Sequence, residues 1–194
     1  PTVADWQYGY GAFDESHKKT SGFTRLPHFN GQAWQGGSNW PDAKLGWVQL
    51  TAEGGHPGNT REHACVRRWT APRDLTLRLS STLLNPSAAG DGIRAFIVSS
   101  NTGLLQQVKN HQQPTELNVE TISVNQGETL DFIVDIDQKL NSDQFQWKIT
   151  LEEIEGDTRW NSEDDFPHDT INQLTVWEQL AQALLCTNEF MFID

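Results

Sequence analysis

The feature that most constrains this 194-residue chain is an alternation of apolar and polar residues with a period of two. In LTLRLSS (75–81), Leu75, Leu77 and Leu79 fall on one face, and Thr76 and Arg78 on the other. TLDFIVDI (129–136) groups Leu130, Phe132, Val134 and Ile136 in the same way. FQWKITL (145–151) groups Phe145, Trp147, Ile149 and Leu151. ACVRRWT (64–70), IRAFIVSS (93–100) and LNVETISV (117–124) read as further strands, and LGWVQL (45–50) as a short one. The turns APRD, NTG (101–103) and NQG separate them, and no helical period intervenes. Short, evenly spaced strands without crossover helices predict an all-β fold. The expected form is an antiparallel β-sandwich of jelly-roll type, not a parallel sheet.

The two ends of the chain read differently. Residues 1–60 have weak periodicity and dense turn signals: GYG, NGQ, QGGSNWPD and EGGHPGN. After residue 152 the pattern breaks into EEIEGDTRWNSEDDFPHD, an acidic stretch that reads as a linker over 153–173. Then the period changes. Thr175 and Glu178 have capping-box spacing, and Trp177, Leu180, Ala181 and Leu184 recur at helical intervals. The expected organisation is a sandwich over 1–152, a linker over 153–173 and a C-terminal helical tail over 174–194. A helix this short and apolar cannot stand alone in water. It is expected to dock on the sandwich, on other domains of a parent protein, or on a second copy.

Charge and cysteine content exclude several function classes. The net charge of -12 opposes nucleic acid, whose phosphates call for a basic stripe. It also disfavours an anionic membrane surface. No apolar run reaches the length of a membrane span, so membrane insertion is not expected. The chain starts at Pro1, which reads as a piece of a longer protein. The two cysteines, Cys65 and Cys186, form no CxxC pair, and buried free thiols are expected.

Eight tryptophans are more than a core of this size requires. Trp34 and Trp40 flank Gln35 and the Gly-Gly-Ser-Asn39 turn, with Asp42 just beyond. An indole face stacks on the C–H face of a sugar ring, while amides and carboxylates read the hydroxyls. Trp34, Trp40, Asn39, Asp42, Gln35, Trp6 and Tyr10 are therefore the expected ligand-binding set. Trp47, between Gly46 and Val48 in a strand-like run, is expected in the core. His56 in GGHPG (54–58) reads as a turn residue that contacts ligand. The six histidines make no zinc pattern such as HExxH, and no metal site is expected from them.

The remaining charged residues read as structural. Of Arg67 and Arg68, one points inward and needs a carboxylate such as Asp131, Asp135 or Asp137. Asp91, Asp135, Asp137 and Asp143 read as solvated loop acids, with Ca²⁺ as the cofactor they leave open. No GxSxG, Ser-His-Asp or Cys-His constellation appears, and no catalytic residues are assigned. The expectation is a protein that is not an enzyme, with a carboxylate-pair or metal-dependent hydrolase as the minor alternative.

Several runs carry a resemblance. The stretch from WQYGYGAF through LGWVQLTAEGGHPGN, with CVRRWTAPRD, GDGIRAFIVSS, GETLDFIVD and the ending WEQLAQALLCTNEFMFID, resembles the C-terminal module of planctomycetal cytochrome-c-associated conserved-domain proteins. The GDG…ETLDFIVD…W segment is similar, more loosely, to jelly-roll carbohydrate-binding modules. The resemblance implies a non-catalytic accessory module of a larger exported protein, periplasmic or extracellular, with a polysaccharide or oligosaccharide as partner. A structural docking module is the alternative.

Overall fold

The computed structural model describes residues 5–167. The chain runs through β1 (Asp5–Asp14), β2 (Lys19–Arg25), β3 (His28–Phe29), β4 (Ala33–Gln35), β5 (Gln49–Thr51), β6 (Gly54–His56), β7 (Ala64–Thr70) and β8 (Leu75–Leu84). It continues through β9 (Ile93–Ser99), β10 (Gly103–Asn110), β11 (Thr115–Glu116), β12 (Val119–Val124), β13 (Thr129–Ile136), β14 (Phe145–Glu153) and β15 (Arg159–Asn161). One sheet has six strands in the order β10-β9-β13-β7-β1-β2. The other has nine, in the order β11-β8-β14-β6-β5-β4-β3, with β12 added on β8 and β15 on β14. All the strand pairings are antiparallel, as the alternation requires. A single 3-10 turn at Arg61–His63 is the only helical element among the described residues.

The period-two faces meet between the sheets. Leu77, Leu79, Trp147, Ile149 and Leu151 pack from one sheet against Trp69, Leu130, Phe132 and Val134 of the other. Phe132 and Trp147 close the gap edge to face, with ring centroids 5.6 Å apart. β13 is buried on both faces, because a second cluster of Phe13, Val66, Phe96, Val98 and Ile133 forms on the outside of the six-stranded sheet. Bidentate pairs of Arg68 with Asp131 and Arg94 with Asp135 stand among these rings.

β1 and β2 lie in the stretch read as turns. Gly9 and Gly11 masked the strand, yet a glycine is needed there. A Cβ on Gly9 would sit 2.4 Å from the Phe23 ring that crosses it from β2. LGWVQL is strand only from Gln49.

At the other end, the sandwich carries on past residue 152. β15 pairs with β14, and Trp160 and Phe166 are buried, so the described part of the expected linker is packed into the fold. The apolar spacing of Trp160 and Phe166 was too sparse to show this in sequence. The expected helix, with Thr175 and Glu178, lies outside the described residues, as does Cys186.

Two expectations about charge are corrected. Arg67 is the inward arginine, but it meets no carboxylate. It donates to the carbonyls of Thr51 at 2.7 Å, Ala52 at 3.4 Å and Trp147 at 3.3 Å. Carbonyl oxygens at β5 and β14 take its Nη1 and Nη2 donors in place of a counter-charge, while Nε has no partner. Likewise Asp135, Asp137 and Asp143 are not solvated but buried. Arg94 pairs with Asp135 and Lys109 with Asp137, whereas Asp143 has no partner.

Candidate functional site

Three rings gather where the β4–β5 connection meets β6. Trp40 and Trp47 are 39% and 37% exposed, the largest aromatic side chains left open to solvent among the described residues. They pack edge to face at 4.9 Å. The imidazole of His56 lies 5.7 Å from Trp47 and 6.3 Å from Trp40. The indole N–H of Trp40 donates to the Trp47 carbonyl at 3.1 Å, which fixes one ring against the backbone under the other.

The opposite wall comes from the β13–β14 connection. Leu140, Asn141, Ser142 and Gln144 face the three rings across a groove of about 480 Å³. An apolar floor is thus bordered by a side-chain amide pair and a hydroxyl. That combination suits a ligand with one apolar face and several hydroxyls.

GGHPG is built to hold His56 there. Gly54 and Gly55 pair with Gln146 and Phe145 of β14 so closely that a Cβ on Gly54 would lie 1.8 Å from the Phe145 carbonyl oxygen. His56 Nδ1 contacts the Pro57 carbonyl at 2.7 Å, which places the proton of the neutral ring on Nδ1 and leaves Nε2 as an acceptor. Burial holds the imidazole below its ordinary pKa, against the upward pull of the Pro57 carbonyl. Behind it, the Cys65 thiol contacts the His56 carbonyl at 3.0 Å and is pushed by burial up to about 12.

Of the expected set, the structure brings Trp40 and His56 together and leaves Asn39 exposed in the adjoining turn. The others do other work. Trp34 is half-buried on the core, stacked parallel to Tyr8 at 6.2 Å and tilted on Phe29 at 5.1 Å. Its place in β4 turns it inward, away from Trp40. Gln35 is buried: it accepts from Asn30 and Gln49 and donates to the Gly37 carbonyl. Asp42 caps its own turn through the N–H groups of Lys44 and Leu45, which hold its carboxyl below the usual range. Trp6 is buried with its N–H on Asp165, and Tyr10 packs edge to face on His63.

Trp47 is the main residue misassigned from sequence. Val48 and Leu50 are the buried positions of that segment, so the same period of two turns Trp47 outward. The wall at 140–144 carries no signal of its own.

No family model matches the chain, and no curated protein matches it, so neither comparison supports the planctomycetal resemblance. Among solved structures it is similar to a PA14 sugar-binding domain from an RTX adhesin, at 10% identity over 84% of this chain and 97% of that one, TM-score 0.39. It is also similar to a family 35 carbohydrate binding module from an environmental isolate, at 15% identity over 77% and 88%, TM-score 0.33. A third is the PA14 domain of the MpAFP antifreeze protein, at 12% identity over 80% and 84%, TM-score 0.34.

Proposed function

We propose that this chain is a non-catalytic carbohydrate-binding module. Its site is the groove between Trp40, Trp47 and His56 on one side and Asn141, Ser142 and Gln144 on the other. The observation that carries the reading is the exposure of two adjoining tryptophans on a fold that buries Trp6, Trp69, Trp147 and Trp160. An indole left open beside amides and a hydroxyl matches a pyranose, which offers a C–H face to the ring and hydroxyls to the rim. A groove open along one side takes a chain segment of a polysaccharide as readily as an oligosaccharide.

In the same reading the module is an accessory part of a larger exported protein, periplasmic or extracellular. The planctomycetal cytochrome-associated setting rests on the sequence resemblance alone. Docking through the apolar helix gains no support, because that helix lies outside the described residues.

The test is a glycan array followed by isothermal titration of the strongest binder. Wild type, Trp40→Ala and Trp47→Ala are compared, with near-UV circular dichroism as the folding control. Binding by wild type that is strongly weakened in both variants is the expected result. Full binding by both variants, or none by wild type, refutes the reading.

A further inference from the structure

A second site lies behind the groove wall, where the β8–β9 connection (85–92) meets the β13–β14 connection (137–144). Asp143 is fully buried, and neither of its carboxylate oxygens has a hydrogen-bond partner. Asp91 Oδ2 accepts from the N–H of Gln138 at 3.2 Å, while its Oδ1 is buried and unpartnered. Asn85, also fully buried, donates its amide N–H groups to the carbonyls of Ser142 at 2.9 Å and Gln144 at 2.8 Å. Those two carbonyls flank Asp143, so Asn85 Oδ1, on the same amide carbon, sits at that turn too. It is likewise unpartnered. The two loops touch at Gly90, where an added Cβ would lie 2.0 Å from the Asn141 carbonyl oxygen.

Four buried oxygens from three side chains therefore stand without donors at the junction of two loops. Buried polar atoms in native proteins are almost always partnered, and a buried carboxylate is the costliest exception. Protonating Asp143 does not resolve the cost. One O–H donated to Asp91 Oδ1 or Asn85 Oδ1 would pair only two of the four oxygens and leave the others without donors.

We infer that Asn85, Asp91 and Asp143 form a binding site for a divalent cation of the Ca²⁺ type. The donor set is oxygen only, two carboxylates and one amide carbonyl, which suits a hard cation that also takes backbone carbonyls and water. Among the described residues no three His, Cys, Asp or Glu side chains are placed to hold a metal ion together, so a zinc-like set is absent there. Asp135 and Asp137 are not part of it, since Arg94 and Lys109 already neutralise them. The cation would tie the loop that carries the groove wall to the loop beneath it. The inference stands apart from the glycan reading, because it rests on different side chains.

The test contains no saccharide. Ca²⁺ is titrated into the metal-stripped chain by calorimetry. Tb³⁺ luminescence excited through tryptophan gives a second readout. Wild type is expected to bind one ion saturably. Asp143→Asn and Asp91→Asn should each weaken binding by at least about tenfold, because ligand charge sets the affinity of such sites. Glu120→Gln, at an exposed carboxylate elsewhere, should leave it unchanged. If Asp143→Asn fails to fold, Asp91→Asn carries the comparison. Absence of saturable Ca²⁺ binding by wild type up to roughly 10 mM overturns the inference. So does wild-type affinity in the folded carboxylate variants.

Discussion

Removal of the Trp47 indole tests the groove most directly, because its cost can be worked from the structure. A tryptophan offers about 200 Å² of surface for burial. With 37% of Trp47 exposed, about 75 Å² remains for a ligand to cover. At about 25 cal/mol per Å², covering it is worth roughly 2 kcal/mol. Trp47→Ala should then weaken binding of an oligosaccharide about 25-fold. The Trp40 N–H bonds the Trp47 backbone carbonyl, not its ring, so the alanine variant keeps that anchor. Loss of affinity should come with a native near-UV spectrum apart from the missing indole. Titration calorimetry of the best array binder reads the affinity. A change of less than about threefold in a folded variant would mean that the ring does not stack on ligand, and the area argument would fail with it.

Other perturbations probe the scaffold. Gly54→Ala forces a Cβ into the Phe145 carbonyl and should cost more than about 2 kcal/mol in urea denaturation. Arg67→Lys cannot reach carbonyls on both β5 and β14 with one ammonium, and should cost about 2 kcal/mol in the same assay. The Cys65 thiol, pushed to about 12, should resist thiol reagents at pH 8 in the native protein and react once it is unfolded. His56 is held below the ordinary imidazole value of 6.5. The unfolded chain therefore takes up a proton first as pH falls. Wild type should lose stability relative to His56→Gln from 6.5 downward until the folded imidazole also titrates, which thermal melts across that range would show.

Sequence made the sandwich legible wherever one face of a strand is wet. β8 shows this best, with every second residue buried along its length. It was silent where glycine replaces a side chain for packing. Gly9 and Gly11 look like turn residues, and only the Phe23 ring lying across β1 explains them. The inward turn of Arg67 follows from its period with Cys65 and Trp69. Its acceptors are backbone carbonyls of distant strands, which no pattern of side chains announces. The candidate site was half legible for the same reason. Aromatic residues among turn signals marked the connection that lines the groove, and Trp40 within it. The division of Trp34 inward and Trp47 outward depended on strand limits that a three-residue strand does not reveal.

The placement of the groove follows from how its parts are held. A binding surface on a long connection must be stiffened, or the ligand pays to order it. Here Trp47 lies one residue before the fully buried Val48, and His56 ends a strand locked onto β14 by two glycines. Those two rings are therefore fixed by the sheet, and Trp40 is fixed by its bond to the Trp47 carbonyl. The far wall has no such strand. Leu140 through Gln144 is held by Asn85, by Asp91 at Gln138, and by whatever satisfies the buried oxygens of Asp143. The groove thus has one rigid side and one side whose order depends on the oxygen cluster beneath it. If a cation occupies that cluster, Ca²⁺ should tighten saccharide binding without touching the sugar. Chelation should then weaken wild type and leave Asp143→Asn unaffected.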